Sequence, residues 1–545
     1  MKRFTNLIYT AGLLVALMGG AASCSEDAMV PEQEGVCDNY INVKISMTAS
    51  SPTKTRAYDH PLGGENGDGR EEGLCHENDI ENLTLFKFRG GIDAPASTPV
   101  VKIGFKNSIG FTETDATHMV KNGISYLQYE IKMKVSTNYE FTNEDYFVVA
   151  ANCGDFNAAT LGELRDHLVA SAWKGERHKA KASYTEFAMS NEGATQFHGG
   201  EGTKDAPYEV EVDIERVAAR IDFAVNGSVV SGTERKYPVL SASGDSHVAD
   251  FYLSHVRAFN VKMAPSYFIK RLSPSQEGTK YYLRDERSGA LYGDDMQPMY
   301  VEEPTTWRKT AATPEDNCLA WYGNSALTIA RREATWLSDL YRVHVGSGTG
   351  FTDGTTHDDL YQLDYYVVEY ANENTMLPGC TNAQTTTGLL LRGTYQPTKV
   401  YGGVDQQGSP TVDADYAKGQ TYWRYRKMAQ DHDEAQVLYF SSEAAAHAYK
   451  AAHEEDVAET VCYKDAVSYY VVYLRHDATH QDPIADHIAP MEFAIVRNSI
   501  YRLEVSFSGP GFNHIPNDME ARPEGIRPYI YVMKWNYIEH PEIEI

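Results

Sequence analysis

The chain has 545 residues, enough for two or three domains, and 49 Lys and Arg against 76 Asp and Glu give a net charge of −27. The charge is distributed: residues 1–56 carry five basic groups (Lys2, Arg3, Lys44, Lys54, Arg56) and five acidic ones (Glu26, Asp27, Glu32, Glu34, Asp38), so their removal leaves it unchanged. No basic cluster exists to release counterions from phosphates, which argues against nucleic acid as a partner and favours solubility.

Lys2 and Arg3 precede an apolar run, Leu7 to Met18, too short to span a bilayer. The run closes on Ala21-Ala22-Ser23 and then Cys24. Residues 1–23 therefore read as a secretory signal with a lipobox-like end, and Cys24 as the acylated first residue. Ala21 stands where a larger aliphatic residue is preferred, and ordinary cleavage after Ala22 is the alternative. Residues 40–47 then alternate as a strand, with Ile41, Val43, Ile45 and Met47 on one face and Asn42, Lys44 and Ser46 on the other. Burying those four side chains is worth roughly 1.5–3 kcal/mol each, about 6–12 kcal/mol before ordering costs.

Directly behind the strand, Thr53-Lys-Thr-Arg56 precedes Ala57 as a cleavable-looking basic site. A soluble domain seldom places that much stability ahead of a protease site. Cutting after Arg56 would leave an open apolar sheet edge, a template for strand addition. A permanent first strand fits the pattern equally well.

Beyond a Gly- and acid-rich loop at 63–69, strands are predicted at Leu83–Phe88, Ser125–Val135, Tyr146–Ala151 and through Tyr208–Val225. Leu161, Leu164, Leu168 and Ala172 share one helical face, with Thr160 as cap. The Gly- and Ser-richer stretch 227–246 is the candidate domain boundary. Further strands follow at Phe251–Val261, Tyr365–Val368, Gly388–Leu391, Ser468–Leu474, Tyr501–Phe507 and Pro528–Trp535, with a surface helix at Ser441–Ala452. The fold class is all-β with minor helices: two packed β-sandwiches, 57–230 and 231–535. A tail, 536–545, ends in alternating Glu and Ile, and Pro541 divides it into two short pieces.

Motifs for catalysis are missing from the sequence. There is no GxSxG elbow, no GK[ST] phosphate loop and no HExxH, so no catalytic residue, metal ligand or cofactor is assigned and the chain is read as a non-enzyme. Gly346-Ser-Gly-Thr-Gly350 reads as a hairpin loop, and the polar run His476, Asp477, His480, Asp482, Asp486, His487 as a solvated loop. His447 and His453 do not share a helical face, and Asn66, Asp68 and Glu71 lack the rest of a calcium loop. After Cys24 six cysteines remain, widely spaced and without CxxC, so their connectivity stays open.

Seven short stretches carry a family resemblance. Ala494-Ile-Val-Arg-Asn-Ser-Ile-Tyr-Arg-Leu503, with Ser508-Gly-Pro-Gly511 and the strand ending Val532-Met-Lys-Trp535, is similar to the closing motif of the Bacteroidales fimbrillins, the type V pilins. Glu373-Asn-Thr375 with Arg392-Gly-Thr-Tyr-Gln-Pro397 resembles a second signature of that family. Val148-Val-Ala-Ala-Asn152 and Glu215-Arg-Val-Ala-Ala-Arg-Ile221 resemble its N-domain strands, and Glu26 and Asp27 resemble the surface-export signals of Bacteroidetes lipoproteins. One departure is Ser499, where relatives commonly have His. Within the family the chain looks most like the long stalk subunit of the short fimbriae.

The resemblance implies two tandem transthyretin-like β-sandwich domains and export as an outer-membrane lipoprotein precursor, palmitoylated at Cys24. An Arg-specific protease would cut between Arg56 and Ala57, removing the propeptide 24–56 with its strand. Polymerisation into fimbriae by donor-strand exchange would follow, with Tyr537, Ile538, Ile543 and Ile545 as donor residues. The implied partners are other copies of the chain, anchor and tip pilins, and an adhesive ligand the sequence does not name; the implied roles are adhesion and biofilm formation. The alternatives are a tip or accessory pilin and a monomeric surface lipoprotein that binds glycan through some of its 37 Tyr.

Overall fold

The computed structural model describes residues 39–47, 70–72, 74–91, 94–112, 115–121, 124–175, 184–191, 195–224, 228–231, 234–241, 246–262, 265–269, 272–273, 299–300, 318–319, 335–336, 341–344, 364–374, 386–427, 436–453, 457–476, 493–516 and 525–536. Among them strands dominate and only two α-helices occur, Leu161–Asp166 and Glu443–Ala452, as the frequency of Tyr, Val, Ile and Thr leads one to expect. Among these residues no helix is long and apolar enough to cross a membrane.

In the first half nine strands make one sheet. Its order is Val101–Lys106, Leu83–Arg89, Asp145–Ala151, Met189–Asn191, Tyr208–Arg216, Asn39–Met47, Ile124–Val135, Thr117–Lys121, with Thr195–Gln196 added beside Asp145–Ala151. The sheet rolls back on itself. Lys106 Nζ, near one end of that order, donates to the carbonyl of Lys132 near the other at 3.4 Å, and Tyr139 Oη reaches the carbonyl of Lys102 at 3.2 Å. Inside the roll lies an apolar core containing Leu85, Leu127, Ile131, Val149 and Val212.

Two six-stranded sheets face one another in the second half. One runs Arg70–Glu72, Ile526–Asn536, Ser499–Phe507, Ala218–Ala224, Asp364–Asn372, Tyr341–His344. The other runs Val229–Ser231, Glu234–Leu240, His247–Phe259, Gly388–Pro397, Val467–Tyr473, with Thr335–Trp336 beside His247–Phe259. Aromatic side chains bridge them: the Phe507 ring lies 4.3 Å from Phe251 and 4.9 Å from Tyr470, centroid to centroid. The chain leaves the first sheet after Arg216 and enters the second at Ala218. That crossover precedes the Gly- and Ser-rich stretch 227–246, where composition places the boundary. The reason is that Ala218–Ala224 takes its neighbours, Asp364–Asn372 and Ser499–Phe507, from far along the chain.

Strands Gly388–Pro397 and Val467–Tyr473 pair directly as a hairpin, yet a whole lobe is inserted between them. It holds a five-stranded sheet (Pro410–Val412, Tyr401–Val404, Val437–Phe440, Tyr422–Lys427, Ala458–Tyr463) with helix Glu443–Ala452 packed on it. Ser442 caps that helix by accepting from the Ala445 amide at 3.1 Å, and the helix starts at Glu443, two residues after the predicted Ser441. In the first half Thr160 caps as predicted, but the helix ends at Asp166 instead of running on to Ala172. Leu168–Val169 is drawn into pairing with Ser266–Tyr267, and the long-range pair overrides the local periodicity.

The Ser508-Gly-Pro-Gly511 turn closes against the same hairpin. Phe512 and Tyr469 exchange backbone hydrogen bonds at 2.8 and 2.9 Å, and Tyr463 Oη donates to the Gly511 carbonyl at 2.8 Å. A Cβ on Gly511 would lie 2.2 Å from the Tyr469 carbonyl oxygen, which is backbone and cannot swing aside. Gly511→Ala is therefore expected to destabilise by about 1–3 kcal/mol, read as a lowered thermal midpoint.

Candidate functional site: an occupied slot and the junction behind it

Strand Asn39–Met47 lies inside the first sheet. It pairs antiparallel with Ile124–Val135, from Asn39 opposite Val135 to Met47 opposite Leu127, and parallel with Tyr208–Arg216, from Ile41 opposite Tyr208 to Ser46 opposite Asp213. Ile41, Val43 and Ile45 are fully buried in the first core and Met47 is 4% exposed, on the face the alternation assigns to them. The sequence-based expectation of an open edge is corrected here. Without this strand the sheet would have a slot in its middle, with two rows of backbone donors and acceptors facing each other across it.

The opposite face of the strand is more enclosed than alternation implies. Asn42 and Ser46 are buried, and Gln128 Nε2 donates to Ser46 Oγ at 3.3 Å. Asn42 Nδ2 donates to the two Glu209 carboxylate oxygens at 3.4 and 3.3 Å and to Glu130 at 3.5 Å. Lys44 Nζ lies 3.0 Å from Glu209 Oε2. That hydrogen bond is the main cause holding the Lys44 ammonium above its ordinary pKa, with Glu130 and Glu211 adding to it against partial burial. At the entrance the Tyr40 amide donates to the Gly202 carbonyl at 2.8 Å.

Cys24, Arg56 and Ala57 lie outside the described residues, as do Tyr537, Ile538, Ile543 and Ile545. The described chain resumes at Arg70–Glu72, which pairs parallel with Lys534–Asn536 at the end of the last described strand. Segment 346–350 and residues Asn66, Asp68, Asp477, His480, Asp482, Asp486 and His487 also lie outside it. His476 Nδ1 is 2.8 Å from Tyr501 Oη, and His453 stacks on Tyr449 at 4.2 Å. Among the described residues no group of three or more His, Cys, Asp or Glu is arranged to hold a metal ion. The Cys153 thiol, half-buried against the first core, is pushed up to about 12 by desolvation.

Behind the slot the quoted sequence signatures meet. Strand Tyr208–Arg216, one wall of the slot, continues through Val217 into Ala218–Ala224, and two arginines flank this crossover. Arg220, fully buried, donates to Glu77 at 3.0 Å, to Asp222 at 3.1 Å and to Tyr365 Oη at 3.3 Å. Arg216 Nε donates to the Glu77 carbonyl at 3.0 Å, and its Nη2 to Asn78. Arg502 completes the group, 3.0 Å from Asp222 and stacked 3.7 Å over the Tyr365 ring. Burial alone would raise the Glu77 pKa, but Arg220, His76 and Arg216 outweigh it and hold the carboxyl below its ordinary value, helped by the Tyr370 hydroxyl. Burial pushes the Arg216 guanidinium down to about 10 against the pull of Glu77, so it stays charged at neutral pH.

A second buried pair ties Glu373 to the closing motif. Arg497 Nε and Nη2 donate to Glu373 Oε2 at 2.9 and 2.7 Å, and its remaining N–H groups reach the carbonyls of Phe268 and Tyr267 at 2.9 and 2.6 Å. Phe268 in turn plugs the first core, 5.5 Å from Phe156. Asn374 and Ile495 exchange backbone hydrogen bonds, and Asn498 donates to the Ala218 carbonyl at 2.8 Å. Ser499 Oγ donates to the Arg497 carbonyl at 3.3 Å. The sequence singled out Arg216, Arg220, Glu373 and Arg497 inside motifs but not their joint role. Glu77 and Asn78 were missed; charged residues set among Val217, Ala218, Ala219 and Ile221 were the available signal that buried partners must exist.

Residues 461–540 match the family model described as major fimbrial subunit protein type IV, fimbrillin, C-terminal. The matched stretch contains Arg497, the Gly511 turn and the last two strands of the second half. The description is of a structural subunit and not of an enzyme. No curated protein matches the chain.

Among solved structures the chain is similar to a fimbrilin from Porphyromonas gingivalis, at 14% identity over 91% of this chain and 98% of that one with a TM-score of 0.36. It is also similar to a C-terminally truncated tip fimbrial protein of the same species, at 10% over 91% and 100% with a TM-score of 0.31. A fimbrial assembly protein from Parabacteroides distasonis gives 11% over 78% and 99%, with a TM-score of 0.26. Scores this low carry no argument of their own.

Proposed function

We propose that the chain is a structural pilin subunit, displayed at the cell surface, whose first strand temporarily fills the slot that a neighbouring subunit later occupies. The observation that carries this reading is strand 39–47: local in sequence to a basic site at Thr53–Arg56, yet seated between two strands and contributing four buried side chains to the core. The fimbrillin C-terminal match at 461–540 supports the assignment to a fimbrial subunit. On this reading Cys24 carries the lipid of the outer-membrane precursor, and an Arg-specific protease cuts between Arg56 and Ala57. Loss of the strand exposes facing backbone edges, which bind an incoming strand by main-chain hydrogen bonds and pockets for alternate side chains. The donor is the tail 536–545 of another copy, with Tyr537, Ile538, Ile543 and Ile545 as its apolar donor residues. Because slot and tail are different surfaces, the contact is head-to-tail and open-ended, and it builds a filament. Anchor and tip pilins would terminate it, and adhesion and biofilm formation would be its use.

Limited digestion with an Arg-specific protease is expected to trim the precursor to a stable species beginning at Ala57, and denaturant-resistant ladders should then accumulate. Arg56→Ala is expected to abolish both. Ladders from Arg56→Ala at the wild-type rate, or from a chain lacking 536–545, would reject the switch and the donor respectively.

A further inference from the structure

The slot has a charged rim as well as an apolar floor. Register places Glu130 on one flank and Glu211 on the other directly opposite Lys44, while Glu209 Oε2 sits 3.0 Å from its ammonium. Asp213 lies opposite Ser46. The positive residues of the rim, Lys132 and Lys134, lie opposite Asn42 and Tyr40, towards the other end of the strand. Three carboxylates thus surround one position, and the resident strand answers them there with a cation.

The tail offers no such answer. Residues 536–545 contain Glu539, Glu542 and Glu544 and no Lys or Arg. Side chains alternate across a strand, so any register that turns Ile543 and Ile545 onto the floor sets Glu542 and Glu544 on the rim side. Like charges directly opposite one another in a sheet destabilise the pair.

We propose that Glu130, Glu209 and Glu211 form the specificity element of the slot. They select an alternating strand with Lys or Arg at the position of Lys44, and they disfavour this chain's own acidic tail. The proposal rests on the slot being exchangeable, as in the function proposed above. Lys44 and Glu209 are each about one-third exposed, so the selection acts through charges that salt can screen. Self-extension therefore accelerates as ionic strength rises, and at low salt a subunit with a basic donor strand outcompetes a second copy of this chain.

The test uses the full-length precursor with residues 53–56 replaced by a site for a sequence-specific protease. After cleavage, fluorescent peptides are titrated: residues 39–47, the same peptide with Lys44→Glu, residues 536–545, and that peptide with Glu544→Lys. At low salt the 39–47 peptide is expected to bind at least about tenfold more tightly than its Lys44→Glu form, and the gap should narrow in about 0.5 M salt. Glu544→Lys should tighten the tail peptide. Equal affinities for the 39–47 peptide and its Lys44→Glu form would overturn the selectivity proposal while leaving exchange intact. Binding of no peptide would reject exchange itself. A second readout needs no exchange: the intact Lys44→Glu precursor should melt below wild type, and Glu130→Gln with Glu209→Gln and Glu211→Gln should restore it. An unchanged midpoint in Lys44→Glu would overturn the role of the rim.

Discussion

Arg220→Ala is expected to cost about 3–5 kcal/mol, the range for breaking a buried ion pair by removing one partner, and to drive most of the protein into the insoluble fraction. Arg220 is fully buried, as are its partners Glu77 and Asp222, so truncation leaves two buried carboxylates facing the space the guanidinium filled. Asp222 keeps Arg502 at 3.0 Å, and Glu77 keeps the Leu74 amide at 2.7 Å, the Tyr370 hydroxyl and the longer-range charges of His76 and Arg216, so each carboxylate loses its Arg220 contact without a replacement cation at that position.

Removing the charges together should hurt less than removing one, and Arg220→Met with Glu77→Gln is expected to recover part of the loss. The same pair sets a pH dependence. The folded pKa of Glu77 lies below its unfolded value of about 4.3, so its contribution is fully present above that value and is lost as pH falls through the lower folded one. Urea unfolding across an acid pH series should show that limb in wild type and a shallower one in the double variant. An Arg220→Ala chain with wild-type solubility and midpoint would mean the junction holds nothing together.

The junction also explains which parts of the fold the sequence makes legible. Alternation locates strand 39–47 to within a residue and assigns its buried face, because period-two patterning is local. The strand's neighbours are not local: Asn42 bonds residues 88 and 167 positions away, and nothing in residues 40–47 distinguishes a central strand from an edge strand. Helix starts are legible at Thr160 and Ser442, whose side chains cap their own helices, while the early end at Asp166 is decided by Ser266–Tyr267, about a hundred residues on. The inserted lobe is invisible apart from its helix, since its strands are short and half-exposed and do not alternate cleanly. The ionic junction is legible in half: Arg216, Arg220, Glu373 and Arg497 stand out in apolar surroundings, but their pairing with Glu77, Asp222 and two carbonyls is a property of the fold.

Val43→Asp is expected to destabilise the precursor severely, by about 3–5 kcal/mol or more, and to do so reversibly in a way that no substitution on the slot walls would. Val43 is fully buried between Ile131 and Val210, so the change removes an apolar contact worth roughly 1.5–3 kcal/mol and places a carboxylate in the apolar core. Neutralising the acid by raising its pKa reduces that penalty without removing it, because the lost packing remains. An equally disruptive substitution on a slot wall, such as Ile131→Asp, persists whatever strand fills the slot. Residue 43 leaves with its strand. Once the precursor is cut behind the strand, addition of a wild-type 39–47 peptide should return the Val43→Asp protein to the midpoint of wild type carrying the same peptide, whereas Ile131→Asp should stay low. A Val43→Asp precursor as stable as wild type would show that the core does not depend on this strand. A midpoint that peptide cannot restore would show that the strand, however deeply buried, is a permanent part of its domain.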